Sequence, residues 1–215
     1  MHVILTSSFP IPGNEAVAAY LREALGAASI AWLAPHADAS RFEECRAQFL
    51  TYGFDSVRPV GRSLEPKLSL GATETLHLPG GSPLEFYEAL ENEHLSSWLK
   101  TQVSGGRAVI AASGGAMLLT ENVSLFRLLD NPLGTVIAER AKYRGLGCLE
   151  IEVLPHFDRH SAEFLDRVRQ YSEQVEHDIW CIPDGAAVVQ GPTGPVVAIG
   201  NAIVLRRGSF GDQGA

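Results

Sequence analysis

The chain predicts an α/β fold: a mostly parallel central sheet, helices on both of its faces, and antiparallel strands at the C-terminal edge. Three observations carry this. Short apolar runs alternate with amphipathic helical stretches through the first half of the chain. Those runs are hydrophobic on both faces, as the strands of a covered parallel sheet are. From residue 179 onward the runs turn β-branched and are separated by Gly/Pro turns, which suits antiparallel pairing. With 215 residues, 46% of them hydrophobic, there is enough chain for one sizeable core. No linker, repeat or low-complexity tract divides it, so residues 1–215 read as a single domain.

The elements follow in order. Val3 to Thr6 and Ile30 to Ala34 are strand candidates, with a helical Asn14 to Leu25 between them. Asp38 is placed to cap a helix through Tyr52, whose Phe42, Cys45, Phe49 and Leu50 share one side. Ser56 to Val60 and Thr75 to Leu78 are further strands, and Pro83 sits where a helix to about Leu90 would begin. A helix over Leu95 to Val103 leads to the apolar strand Ala108 to Ala112. Ala116 to Thr120 then opens another helix. After the turn at Asp130-Asn131-Pro132 come a strand from Cys148 to Leu154 and a charged helix over Ser161 to Gln174. Ile179 to Ile182, Ala186 to Gln190, Val196 to Ile199 and Ile203 to Arg206 are the late strands. Gly208 to Ala215 reads as a frayed polar tail.

Composition narrows the function. A net charge of -8 with no basic run argues against nucleic acid. Cys45, Cys148 and Cys181 lie far apart and show no ligand spacing, so neither a metal site nor a cofactor is expected. Met1-His-Val-Ile-Leu5 enters a strand at once, without a charged leader or a long apolar segment. The expectation is a cytoplasmic protein with reduced cysteines and no membrane partner.

The chemistry gathers at Ala111-Ala-Ser113-Gly114-Gly115-Ala116. A serine at a tight strand-to-helix turn has its Oγ lifted clear of the sheet, small neighbours let the turn close, and the next amide can join an oxyanion hole. The same segment also reads as a small-residue turn that packs a helix on a sheet. A serine nucleophile needs a base. Of seven histidines, His156 stands just after a strand, in Leu154-Pro155-His156-Phe157-Asp158. His36 and His77 also lie near strand ends, so position alone does not choose among them.

Four segments, in order, resemble the aspartyl dipeptidase (peptidase E) and cyanophycinase family of serine peptidases. They are Leu78-Pro-Gly80-Gly81-Ser82, Ser113-Gly114-Gly115-Ala116, Gly145-Leu-Gly147 followed by Pro155-His156-Phe157 with Arg159 close behind, and Ile182-Pro-Asp184-Gly185. The resemblance implies Ser113 as nucleophile, His156 as general base and Asp184 as the acid. The family usually has glutamate at that last place, one methylene longer, so Asp130 and Asp158 are reserve acids. It further implies an oxyanion hole from the amides of Gly81 and Gly114, and substrate contacts from Gly80 and Ser82, where the family carries asparagine in place of the serine.

The implied activity is removal of the N-terminal residue, aspartate first of all, from a short peptide. Recognising that carboxylate calls for a guanidinium, with Arg159 first and Arg144 and Lys142 behind it. A dipeptidase of other N-terminal preference, or a cyanophycinase-like β-aspartyl peptidase, fits the same residues. The fold resemblance extends to class I glutamine amidotransferases, which carry cysteine at the elbow. A non-catalytic amidotransferase-like binding domain is the remaining alternative. An α/β-hydrolase esterase is disfavoured, since its acid precedes its histidine. The resemblance also allows a homodimer.

Overall fold

A computed structural model of the chain describes residues 2–9, 15–33, 39–60, 70–92 and 95–211. The first half builds strands β1 (Val3–Thr6), β2 (Ile30–Leu33), β3 (Val57–Val60), β4 (Thr75–Leu78) and β5 (Val109–Ala112). Between them run helices α1 (Glu15–Leu25), α2 (Ala39–Thr51), α3 (Pro83–Asn92) and α4 (Leu95–Ser104). β1, β2, β4 and β5 are buried at every residue, which is why they read as unbroken apolar runs. Asn14, Ala34 and Asp38, expected at the margins of these elements, lie outside the described residues.

After β5 come the short α5 (Gly114–Leu118), a 3₁₀ segment over Ser124–Leu129, α6 (Leu133–Glu139), β6 (Glu152–Pro155) and α7 (Ala162–Ser172). The chain finishes with β7 (Ile179–Ile182), β8 (Ala187–Gln190), β9 (Val196–Ile199), β10 (Ile203–Arg206) and β11 (Ser209–Gly211). Seven strands form one sheet in the order β3-β2-β4-β5-β1-β8-β9, with β5 at its centre. β8 and β9 run antiparallel at one edge, as expected.

The other late strands depart from expectation. β7 and β10 belong to a second sheet, ordered β11-β10-β7-β6, in which β6 and β7 are parallel and the rest antiparallel. One buried apolar cluster packs residues of both sheets together. The strand expected from Cys148 begins only at Glu152, because the Cys148 and Leu149 N–H groups bond the Leu119 carbonyl instead of a ladder partner. Of the tail expected to fray, residues 208–211 continue the fold: Arg207 and Gly208, both at positive φ, turn the chain so that β11 pairs with β10, and residues 212–215 lie outside the described residues.

Candidate active site

Two pairs of parallel strands deliver the site. In the large sheet β1 and β5 are in register, Thr6 opposite Ala112, so Ser7 and Ser113 leave their strand ends together. In the small sheet Pro155 is opposite Ile182, so His156 and Asp184 emerge side by side one and two residues later. Loops at the C-terminal ends of parallel strands are where α/β folds gather chemistry, and here two such ends converge.

Ser113 takes φ 47, a left-handed conformation rare for a side chain with a Cβ, and His156 takes φ 56. Close packing holds the serine turn in place. A Cβ at Gly114 would run into the Gly81 carbonyl oxygen, and one at Gly115 would lie 2.5 Å from the Pro79 oxygen. The small residues of the motif are therefore the condition for the elbow to seat against the loop after β4. Gly80, in the same loop, is close enough that its missing Cβ would sit 3.1 Å from Ser113 Cβ.

Ser113 Oγ and His156 Nε2 are 3.1 Å apart, and His156 Nδ1 is 3.0 Å from Asp184 Oδ1. A proton on Nδ1, donated to the carboxylate, leaves Nε2 free to accept from the serine hydroxyl. Burial would raise the Asp184 carboxyl, but hydrogen bonds from Ser7, Ser8 and His156 outweigh it and hold the group below the ordinary aspartate range. Asp184 is thus favoured as a carboxylate, the form that stabilises an imidazolium.

Ser7 and Ser8 are the residues that sequence reasoning missed. Ser7 is fully buried; its hydroxyl donates to Asp184 Oδ1 at 2.5 Å and accepts the His156 backbone N–H at 2.9 Å. Ser8 Oγ donates to the same carboxylate oxygen at 3.0 Å. Their one sequence signal is position, two serines directly after a strand; that β1 lies beside the elbow strand is visible only in the fold.

The remaining candidates fall as follows. Gly81 and Gly114 border the cleft together with Ser113 and His156. Ser82 Oγ accepts the Glu85 N–H, capping α3, and is not among the cleft-lining residues. Arg159 pairs with Asp184 Oδ2 while leaving 57% of its side chain exposed. Asp158 reaches the Asp184 backbone N–H at 2.9 Å and not the imidazole. Asp130 is exposed at the end of the 3₁₀ segment. Lys142 pairs with Glu139, and Arg144 pairs through its backbone with Asn122. His77 is fully buried between Phe9 and Phe49, where loss of solvation pushes its pKa down to about 3. His36 lies outside the described residues. Among the described residues no group of three or more His, Cys, Asp or Glu could hold a metal ion, and no helix is long and apolar enough to cross a membrane.

The cleft beside Ser113 is a cavity of about 90 Å³ that opens to solvent. Among its lining residues only Ser113, His156 and His160 carry polar side chains. His160 Nε2 bonds the Pro155 carbonyl at 3.0 Å, and burial lowers its pKa, so it faces the cleft uncharged.

No curated protein sequence matches the chain. A crystal structure from Listeria monocytogenes EGD-e, of a protein provisionally assigned as a peptidase E, superposes with a TM-score of 0.66 over 92% of this chain and 96% of that one. At 17% identity that likeness speaks to the fold. The sequence profile of peptidase family S51 reaches further, matching residues 3–193. That span takes in the elbow, the His156 loop and the Asp184 turn alike, and it makes this chain a member of peptidase family S51, the peptidase E family, and a serine-type peptidase.

Proposed function

We propose that Ser113, His156 and Asp184 act as nucleophile, general base and orienting acid in the hydrolysis of short peptides at the N-terminal residue. The observation that carries this is the continuous hydrogen-bonded line from Ser113 Oγ through both imidazole nitrogens to Asp184. Links of 3.1 and 3.0 Å lie within the hydrogen-bond reach that proton transfer needs.

In the proposed reaction Ser113 Oγ attacks the peptide carbonyl while His156 Nε2 takes its proton. The same nitrogen returns the proton to the departing amine. The amides of Gly81 and Gly114 would hold the developing oxyanion; losing one such donor typically slows a reaction about 10²–10³-fold. Water then attacks the acyl-serine by the reverse proton path. Ser7 and Ser8 serve as positioning residues, holding the carboxylate that holds the base. The three free cysteines support a cytoplasmic setting.

Specificity divides into two readings. The aspartyl preference rests on the family resemblance and asks for a cation beside the substrate. Its first candidate, Arg159, would have to serve the substrate while paired with Asp184. Dipeptidase action with another N-terminal preference is favoured by the cleft, since none of its lining residues is cationic. A panel of Asp-X, Gly-X and β-Asp-Arg dipeptides, with the Ser113→Ala protein as blank, tests the proposal. Hydrolysis by Ser113→Ala at the wild-type rate would end the serine-nucleophile assignment.

A further inference from the structure

The cleft has a wall that the proposed hydrolysis does not use. Met117 from α5, Leu125, Phe126 and Leu129 from the 3₁₀ segment, Leu154 from β6 and Phe164 from α7 converge on it. Four of the six are almost wholly buried, and Leu129, at 44% exposure, is one of three large apolar side chains left open to solvent among the described residues. An exposed leucine continuous with a buried apolar wall and adjoining the reacting hydroxyl is a surface awaiting a cover.

None of the cations near this wall is among its lining residues. Arg159 is on Asp184, and Arg127 pairs with Glu139 and lies over the Tyr143 ring. Arg167 stands 5.7 Å from the centroid of the Phe164 ring and is not a lining residue. His160, tied to the Pro155 carbonyl, offers a flat ring packed 4.4 Å from that of Phe164. A carboxylate entering here would lose its water without meeting a cation, which is strongly unfavourable.

Resting on the assignment of Ser113 as nucleophile, we infer that this wall is the specificity pocket for the residue whose carbonyl is attacked, and that it selects a large apolar side chain such as leucine or phenylalanine. The pocket touches Ser113 and both glycines of the proposed oxyanion hole, so it is the space that an acyl group carried on Ser113 would fill. Apolar pockets discriminate between side chains that differ by a methylene or two by about 10–200-fold, and reject an unpaired charge more severely.

Binding tests this apart from turnover. Leu-Ala, Phe-Ala and Asp-Ala are titrated calorimetrically into the Ser113→Ala protein, which leaves them uncleaved. Leu-Ala and Phe-Ala should bind at least about tenfold more tightly than Asp-Ala. Equal or tighter binding of Asp-Ala, or no binding by any of the three, overturns the pocket. Leu129→Arg, at an exposed position that the fold does not need, should weaken Leu-Ala several-fold; unchanged affinity would likewise overturn it. Wild-type turnover on the same dipeptides judges the serine-peptidase assignment by itself, since its absence would leave the order of binding intact.

Discussion

Strand β6 has a polar network at each end, and the two are built from the same parts: a carboxylate, an arginine and a hydroxyl. At its start Glu152 is fully buried, with Arg140 Nη2 at 2.5 Å from Oε1 and the Tyr171 hydroxyl at 2.9 Å from Oε2. Arg140 Nε also bonds the Tyr171 oxygen, closing the set. Just past the other end, His156 meets Asp184, whose carboxylate takes Ser7, Ser8 and Arg159 as further partners. Burial raises the Glu152 carboxyl above the ordinary range, against the pull of Arg140 and Tyr171. Asp184 moves the opposite way because several donors outweigh a shallower burial. The same chemical group is thus a structural pin at one end and a poised charge at the other, and the number of donors against the depth of burial decides which.

Substitutions should separate the two ends. Ser113→Ala ought to have the largest effect, a loss in kcat on the order of 10⁶ with an unchanged denaturation midpoint. Retained turnover in a steady-state assay would remove the site end from the comparison altogether. Asp184→Asn should come next. With the wrong imidazole tautomer favoured, kcat should fall about 10⁴-fold while the circular dichroism spectrum stays native.

Arg140→Met should act on stability instead. It leaves Glu152 buried without its cation, a change that costs about 3–5 kcal/mol in urea unfolding, while kcat of the folded fraction stays near wild type. A catalytic defect in the folded protein would show that the two networks are coupled along β6. Ser7→Ala should be milder: losing a hydrogen bond to a charged acceptor amounts to about 1.5–3 kcal/mol, and the loss should appear in kcat and leave KM unchanged. If Ser7 only fills space, Ser7→Ala will lower the unfolding midpoint and leave kcat and its pH profile alone.

The smallest effect is in the pH dependence of stability, and there the signs oppose. The lowered Asp184 pKa contributes stability that is present above the ordinary aspartate value and lost as pH falls through the folded value. The raised Glu152 pKa contributes stability that is present below the ordinary glutamate value and lost as pH rises through its folded value. Urea midpoints measured across the acid range should therefore flatten on the low-pH side in Asp184→Asn and on the higher side in Glu152→Gln. Matching slopes in the two variants would contradict the contrast.

Most of the large sheet was legible in the sequence because β1, β2, β4 and β5 bury both faces and their residues show it. The elbow was legible because close approach permits only glycine at 114 and 115. Beyond these, local pattern fails. Nothing in Ile179 to Ile182 says that its partner is β6 and that it leaves the large sheet; pairing is a property of two segments, not one. Cys148 and Leu149 are strand-like residues whose N–H groups found a nearer acceptor in the Leu119 carbonyl. Ser7 and Ser8 were hidden for a related reason, since their role exists only where two strand pairs from different sheets meet. Arg159 could be read as cationic, but its engagement with Asp184 could not.

Among the described residues three that are not glycine have a positive φ, and two of them are Ser113 and His156. Each such backbone typically stores about 1–3 kcal/mol that glycine would release. A population of variants screened for heat resistance alone would accordingly drift toward glycine at 113 and 156. The most durable descendants would be inert, so any effort to harden this enzyme must exempt the two positions whose strained backbones belong to the site.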